Sequence, residues 1–330
     1  MENMENMENM YNLNNTNDVN IVTVATESQY YYPYLMDTLK KNGGTLTTLG
    51  YGEKWQGFSW RYQIMIDYLK GLSPTEIVCF VDGYDVICTR NLTELKPKFL
   101  ELKRKHSCKI IVSNHKFKQD FPGRYINSII FGFCKNDLIN AGTYIGYAKD
   151  LLTLISNIYN LSLNNNSDDD QKLMTRYCKK NSTDFYIDTK NEIFLVLESS
   201  YKDISDNISI VNGSVVYNNE NPFFIHGPGS TYLDNILMKL GYQNVNIKEK
   251  LYRDYYKKMC MYIHPKLYNF YSQNERNKIL IALLLIIILI IIVIILLISI
   301  YYFLKNVKNY KNYKKYKNFI NYKTYNSYKK

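Results

Sequence analysis

The chain has 330 residues and a formal net charge of +11, and its character changes along its length. Nine lysines and no acidic residue fall in residues 305–330, so the other 32 basic residues nearly balance the 30 acidic ones. The excess of basic charge therefore lies in the tail and does not come from a nucleic-acid-binding face. The length of the chain leaves room for a sizeable folded domain.

Both ends of the chain differ from a globular domain. Residues 1–19 begin with three Met-Glu-Asn repeats and predict a disordered leader without signal-peptide features. Residues 279–300 are apolar except for Ser299, and they would form about 33 Å of helix, against a bilayer core of about 30 Å. We therefore predict a single-pass protein of a secretory-pathway or virion-type membrane, with a Tyr- and Lys-rich stalk over residues 246–278 and a basic tail over residues 301–330. The lysines favour a cytoplasmic tail and the missing signal peptide favours a cytosolic domain, so the orientation stays open.

The six cysteines show neither a Cys-x-x-Cys pair nor a metal-type spacing with histidine. Cys79 falls in an apolar run, where a small buried thiol is the simpler interpretation. We therefore expect no disulfide framework.

Between residues 20 and 245 the apolar pattern alternates between strands and helices. This alternation predicts an α/β fold, a mostly parallel sheet with covering helices, in which ligands bind beyond the carboxyl ends of the strands. The predicted strands cover residues 20–26, 45–50, 77–81, 109–113, 192–197 and 223–226, and the predicted helices cover residues 34–42, 60–69, 92–105, 149–159 and a segment that begins at residues 168–170.

Two carboxylates follow the buried-type strand at residues 77–81. Asp82 and Asp85 lie three residues apart on the turn after it. Oxygen ligands at this spacing can hold Mg²⁺ or Mn²⁺, which commonly complete their coordination with phosphate oxygens. An ordinary Asp-Gly turn would contain the same residues, so the pattern alone leaves both interpretations open.

Three further segments have two interpretations each. Gly142 and Gly146 indicate either a ligand-facing loop or a bulged strand over residues 138–148. The acidic residues 168–170 either cap a helix or face a sugar hydroxyl or an anomeric carbon. His226 ends a strand before a Gly-Pro-Gly turn, where it is either a structural hydrogen-bonding residue or a metal ligand shared with the two carboxylates.

Four sequence blocks occur in order between residues 20 and 243. They are residues 23–27 (Thr-Val-Ala-Thr-Glu) with 49–57 (Leu-Gly-Tyr-Gly-Glu-Lys-Trp-Gln-Gly), residues 80–86 (Phe-Val-Asp-Gly-Tyr-Asp-Val), residues 140–148 with 168–171 (Asp-Asp-Asp-Gln), and residues 225–229 (Ile-His-Gly-Pro-Gly). Together they resemble the N-terminal glycosyltransferase domain of the procollagen lysyl hydroxylase family, whose members modify collagen. The hydroxylase domain of that family is not expected after residue 243.

The resemblance implies a GT-A-type, Rossmann-like fold that binds Mn²⁺ and a UDP-sugar. It implies transfer of glucose from UDP-glucose, with retention, to galactosyl-hydroxylysine of collagen-like chains, although another protein or glycan acceptor stays open. Carried over by position, the implied roles are Mn²⁺ ligation by Asp82, Asp85 and His226, nucleotide binding by Val24, Ala25, Thr26, Trp55, Tyr84, Gly142 and Gly227, and contact with the transferred sugar or acceptor by Asp169, Asp170 and Asn140.

Three residues depart from the pattern of that family. Arg61 and Tyr232 fall where lysines are usual, and Pro228 replaces an Asn in the turn after His226. Three hypotheses therefore stay open: a membrane-anchored, metal-dependent glycosyltransferase, a catalytically weakened protein that binds glycans or a protein partner, and a cation-dependent nucleotide-sugar hydrolase.

Overall fold

The computed structural model describes residues 19–115, 132–165, 169–197, 208–228, 231–247 and 284–302. The chain divides into two compact units, residues 1–253 and residues 254–330. The expected leader as far as residue 18, the stalk from residue 248 and the tail from residue 303 lie outside the described residues.

A six-stranded sheet forms the centre of the first unit. Its strands are β1 Val19–Val24, β2 Leu46–Leu49, β3 Ile77–Val81, β5 Ile110–Asn114, β6 Ile139–Tyr147 and β7 Phe185–Asp188, in the order β2-β1-β3-β6-β5-β7. β6 is antiparallel to both of its neighbours, and the other three pairings are parallel. This mostly parallel sheet confirms the predicted α/β fold class, and it brings the carboxyl ends of five strands to one edge.

Helices pack on both faces of this sheet. They are α1 Tyr32–Lys41, α2 Phe58–Lys70, α3 Leu95–His106, α4 Ala148–Asn165 and α5 Asp170–Lys180. The side chains of β3 alternate between two apolar cores, as the period of two residues in a strand requires. Val78 and Phe80 pack in the core that contains residues of α2, α4 and α5, whereas Ile77, Cys79 and Val81 pack in the core that contains residues of α1 and α3.

A second, smaller sheet lies beside the first. It contains β4 Val86–Cys88, β8 Phe194–Val196 and β11 Phe224–His226, with β11 between the other two, and a hairpin of β9 Ile208–Val211 and β10 Ser214–Tyr217 and a short helix, α6 Asp234–Lys239, follow in the same unit. The buried carboxylate of Asp188, at the end of β7, accepts hydrogen bonds from the backbone N–H groups of residues 192, 193 and 194 at 2.8–2.9 Å. This side chain fixes the connection from the large sheet into the small one.

Three sequence-based expectations require correction or a choice. Within residues 138–148, Ile139–Tyr147 form a central strand with an irregular register, so this segment is the bulged strand and not a loop. α4 continues to Asn165, past the predicted end at residue 159, because Leu161 extends its apolar face against the core. We expected no disulfide framework, but a single disulfide joins Cys134 and Cys178, whose Cα atoms are 5.8 Å apart.

The described part of the second unit is one helix, α7, at Leu284–Tyr302. It has 19 residues and a mean hydropathy of 3.7, and its side chains are exposed. By length and composition this helix is suited to cross a membrane. The first five residues of the predicted span, 279–283, lie outside the described residues.

Candidate active site

A four-residue turn joins the two sheets of the first unit. β3 ends at Val81 and β4 begins at Val86, so the turn carries Asp82 and Asp85 from one sheet to the other. The backbone N–H of Asp82 donates to the carbonyl of Gly142 at 2.8 Å, which extends the β3–β6 ladder by one residue. The two carboxylates are therefore fixed at the edge where the carboxyl ends of the parallel strands meet.

His226 reaches the same point from far along the chain. It is the last residue of β11 and pairs with Val86 of β4. Its Nε2 atom lies 3.2 Å from Asp85 Oδ1 and 3.8 Å from Asp82 Oδ2. One potential ligand atom from each of the three residues lies within 4.8 Å of the others. The strand pairing thus gathers two carboxylates and an imidazole around one point.

Gly142 forms a floor below two of these side chains, those of Asp82 and His226. A Cβ atom at this position would lie 2.4 Å from both Asp82 Oδ2 and His226 Cε1. Any larger residue would therefore displace both side chains, and glycine is required for close approach rather than for an unusual backbone angle.

The three converging residues fit a divalent cation. His226 Nε2 and Asp85 Oδ1 are buried and lie 3.2 Å apart, and neither has a hydrogen-bond partner in the part of the chain that the structure describes. Buried polar atoms normally have hydrogen-bond partners, so these two atoms are available to bind a further group. Carboxylate oxygens with one imidazole are a ligand set that first-row divalent ions such as Mn²⁺ accept.

Arg61, on α2, lies beside this cluster. Its Nη2 atom is 2.7 Å from Asp170 Oδ2, and its Nη1 atom is 3.4 Å from Asp82 Oδ1. The guanidinium is buried and faces the ring of Phe80 with its Cζ atom 5.4 Å from the ring centroid. Asp82 therefore directs one oxygen at the arginine and the other at His226. Asp170, at the N-terminus of α5, is brought to the site by the arginine.

The cluster changes the pKa values of its members. Burial and the neighbouring Asp85 raise the pKa of Asp82 to about 7. Burial lowers the pKa of His226, but Asp85 and Asp82 outweigh it, so that the pKa is raised overall. Burial also acts against a charged Arg61, while Asp170 and Asp82 raise its pKa above the ordinary value, so the guanidinium stays protonated. Negative charge is in excess here, which favours a bound cation.

On the β1 side, Tyr84 organises the segment after the strand. Its hydroxyl oxygen accepts hydrogen bonds from the backbone N–H groups of Thr26 at 2.9 Å and Glu27 at 3.3 Å. Ala25 is buried against Gly83, whose Cβ position would lie 3.1 Å from Ala25 Cβ. Val24 is buried in the apolar core, so it borders this region through its backbone: its carbonyl oxygen lies 3.5 Å from the same position.

Two further residues, Trp55 and Gly227, are expected to bind the nucleotide. Trp55 is 45% exposed, and its ring meets those of Phe58 and Trp60 edge-on, each with centroids 5.6 Å apart. Gly227 follows His226, and a Cβ atom there would lie 3.1 Å from the carbonyl oxygen of Thr231. Trp55 thus offers an open aromatic face, and Gly227 permits a tight turn.

Two of the residues expected to contact the sugar, Asp169 and Asn140, make hydrogen bonds to the backbone. Asp169 caps α5, because its Oδ1 atom accepts a hydrogen bond from the N–H of Lys172 at 2.9 Å. Asn140 Oδ1 accepts a hydrogen bond from the N–H of Gly142 at 2.8 Å, so Asn140 supports the floor of the site. Asp168 lies outside the described residues.

Sequence reasoning missed His115. Asn140 Nδ2 lies 3.2 Å from His115 Nδ1. Burial and the nearby His226 lower the pKa of His115 to about 4, so the neutral imidazole accepts this hydrogen bond. His115 directly follows β5, and a histidine just beyond the carboxyl end of a predicted parallel strand was the signal that could have identified it.

Comparisons with known proteins identify similar sequences. A family model described as the PLOD GT domain matches residues 15–246. The chain is 25% identical over 212 residues to a procollagen-lysine,2-oxoglutarate 5-dioxygenase of Drosophila melanogaster, which covers 57% of this chain and 27% of that protein. The chain thus aligns with about a quarter of the length of that curated relative.

A solved structure is also similar. It is described as a glycosyltransferase involved in the glycosylation of the major capsid of PBCV-1, and it matches with 12% identity and a TM-score of 0.43 over 64% of this chain and 96% of that one. The match of the family model, which covers more than half of the chain, confirms the resemblance found in the sequence. The chain belongs to the family of PLOD glycosyltransferase domains.

Proposed function

We propose that the protein is a membrane-anchored, metal-dependent glycosyltransferase that uses a UDP-sugar, with UDP-glucose as donor and Mn²⁺ as the cation. The observation that carries the proposal is the convergence of Asp82, Asp85 and His226 above Gly142. Family membership supports the reaction class. The acceptor that we propose is galactosyl-hydroxylysine in a collagen-like chain.

The three converging residues would hold the cation, which when bound would offset negative charge on the departing diphosphate. Arg61 holds Asp82 Oδ1 and leaves Oδ2 on the side of His226. Gly142 keeps the space between these side chains clear. The protein's contribution on this side is therefore the placement of ligands before the donor arrives.

Asp170 is the carboxylate that we assign to the sugar. Its Oδ2 atom lies 2.7 Å from Arg61 Nη2, and a carboxylate in this position can accept hydrogen bonds from sugar hydroxyls. On the other side, Tyr84 orders the backbone at residues 26–27, and the exposed ring of Trp55 offers a surface on which a base can stack.

We further propose that the first unit resides in an oxidising compartment and that α7 anchors the protein to the membrane of that compartment. The Cys134–Cys178 disulfide supports the first part, because such bonds persist in secretory and extracellular environments. The length and hydropathy of α7 support the second part.

One observation favours a second candidate, a protein that keeps the fold to bind glycans or a protein partner without turnover. Arg61 stands where the family has a lysine, and two carboxylates of the site already engage it. A guanidinium held in this way contributes less to binding a diphosphate. Turnover separates the two candidates.

The test measures UDP release from UDP-glucose by the full chain, with and without Mn²⁺, on galactosyl-hydroxylysine peptides and in their absence. We expect acceptor-stimulated, Mn²⁺-dependent release that falls at least about 100-fold in Asp85→Asn. The matched control is Asp67→Asn, which changes an exposed aspartate on α2 whose carboxylate accepts hydrogen bonds from Gln63.

Two results would contradict the proposal. Absence of Mn²⁺-dependent turnover of any UDP-sugar would favour the binding protein. Release of free sugar at the same rate with and without acceptor would identify a hydrolase.

A further inference from the structure

β6 leaves its regular pairing with β5 directly beside the proposed metal site. Val112 pairs with Tyr144, but the next residue of β5, Ser113, pairs with Asn140. Residues 141–143 of β6 are therefore skipped by the β5 ladder and form a kink. On the opposite side the same segment still pairs with β3, since Val81 pairs with Thr143.

Side chains replace the interrupted ladder. Gln171 Oε1 accepts a hydrogen bond from the backbone N–H of Ala141 at 2.9 Å, and Gln171 Nε2 donates to the carbonyl of Ile139. One carboxamide thus satisfies a donor and an acceptor two residues apart, as the peptide groups of a neighbouring strand would. The hydroxyl of Ser113 donates to the carbonyls of Asn140 and Thr143, each at 3.2 Å.

The kink sets the height of the floor. Gly142 lies at its centre, where its carbonyl accepts from the N–H of Asp82 and its Cβ position would touch Asp82 and His226. Asp82 and His226 lie directly against the backbone here, since a Cβ atom at Gly142 would be 2.4 Å from both, so the position of this segment bears on the space between the converging ligands.

Gln171 is itself fixed by the helix that carries it. It is the second residue of α5, and its backbone N–H donates to Asp170 Oδ1 at 2.8 Å. Asp170 in turn binds Arg61. The side chain therefore connects β6 to the helix terminus that faces the site.

We propose that Gln171 is a positioning residue of the metal site, whose carboxamide holds the kink at Ala141–Gly142 in the form that lets Asp82, Asp85 and His226 close on one cation. This inference rests on the proposed function. Gln171 touches neither cation nor donor in this account, since it acts through the backbone of β6.

The test compares Mn²⁺ affinity, measured by titration calorimetry on the purified full chain, between wild type and Gln171→Met. Methionine keeps the length of the side chain and removes both hydrogen bonds, so lost packing is not the variable. We expect Mn²⁺ to bind at least about 10-fold more weakly, and the amide of Ala141 to exchange hydrogen at least about 10-fold faster in the metal-free protein. Gln171→Ala, which also removes the packing, is expected to lose at least as much.

The matched control is Gln63→Met, which removes a carboxamide that hydrogen-bonds to Asp67 one turn along α2. Its Mn²⁺ affinity is expected to stay within about twofold of wild type. Near-ultraviolet circular dichroism establishes that each variant is folded before titration, and whichever of Gln171→Met and Gln171→Ala folds carries the comparison.

Two outcomes overturn the inference, and they differ. If wild type binds Mn²⁺ and a folded Gln171 variant binds it within twofold, Gln171 does not position the site and the proposed function stands. If wild type does not bind Mn²⁺, the metal site itself is wrong and this inference falls with it.

Discussion

At the proposed metal site, two carboxylates and a buried imidazole face one another, and Arg61 offsets only part of the negative charge. Asp82 shows the consequence, because burial and Asp85 raise its pKa to about 7. Its ordinary value is 3.8, so the folded protein binds more protons than the unfolded chain between these two values. The stability of the metal-free protein therefore falls as the pH rises from about 4 to 7 and stays low above 7.

Asp82→Asn is expected to stabilise the metal-free protein at pH 8, because it removes a carboxylate whose charge is unfavourable there. The expected gain is roughly 1–3 kcal/mol, which corresponds to several degrees in Tm. Since protonation neutralises Asp82 in the wild type as well, the gain should disappear near pH 4. Thermal unfolding followed by circular dichroism at both pH values measures it.

Added Mn²⁺ should reverse the order of these two proteins, since it raises the Tm of the wild type and not that of Asp82→Asn. Asp67→Asn is the control and should match wild type throughout. A variant that is less stable than wild type at pH 8 without metal would show that Asp82 serves mainly as a partner of Arg61.

Gly142→Ala is expected to weaken Mn²⁺ binding by at least about 10-fold, because the new methyl group would lie 2.4 Å from Asp82 Oδ2 and His226 Cε1. Gly146→Ala is the matched control on the same strand. Its Cβ position would lie 3.1 Å from Leu151 Cδ2 and 3.3 Å from the carbonyl oxygen of Lys109, neither of which belongs to the site, so it should cost stability and leave Mn²⁺ affinity nearly unchanged. Equal loss of affinity in both variants would contradict a specific role for Gly142.

At the residue scale, the sequence indicated the cluster because Asp82, Asp85 and His226 each follow or precede an apolar run that can be recognised locally. It did not indicate that Arg61 bridges Asp82 and Asp170, because that contact depends on the packing of α2 against the sheet. Long-range side-chain pairs of this kind leave no periodic signal in the sequence.

Strands and helices also differ in how well the sequence predicts them. The strand at residues 77–81 coincides with its prediction because a run of five apolar residues is buried on both faces. The glycines of β6 could not decide between a bulged strand and a loop. The kink of this strand depends on Gln171 and Ser113, which lie about 30 residues away on either side. α4 was predicted too short because Asn-rich sequence suggests a loop, whereas tertiary packing of Leu161 outweighs that weak preference.

The disulfide was missed because Cys134 and Cys178 are 44 residues apart and belong to no recognisable motif. It connects the segment before β6 to α5, the helix that begins with Asp170. Both cysteines are buried in the apolar core, so the bond is enclosed rather than at the surface.

Replacement of Cys134 and Cys178 together by alanine is expected to lower the free energy of unfolding by about 2–4 kcal/mol. The upper value follows from closing a loop of this length in the unfolded chain, and alanine avoids leaving a buried hydroxyl. Urea unfolding measures the difference, and reducing agent should destabilise wild type and leave the double variant unchanged. A double variant as stable as oxidised wild type would show that the pair contributes nothing.

In the whole molecule, the excess basic charge and the most apolar residues occupy different segments of the chain. Apart from the lysines of residues 305–330, basic and acidic residues nearly balance, and α7 is apolar over 19 residues. A protein that acts on a macromolecular acceptor at a membrane would need only one such helix to stay there. Membrane attachment is therefore expected to depend on α7.

The full chain, expressed in cells, is expected to stay in the membrane pellet after alkaline carbonate extraction. Ile288→Lys with Ile292→Lys should release it to the supernatant, because each lysine at the centre of a span costs about 2.5–3.5 kcal/mol. Tyr301→Lys with Tyr302→Lys is the matched control, since these positions end the helix, where long basic side chains reach the interface. If the central pair also remains in the pellet, α7 does not anchor the protein. The first unit would then have to account for any membrane association.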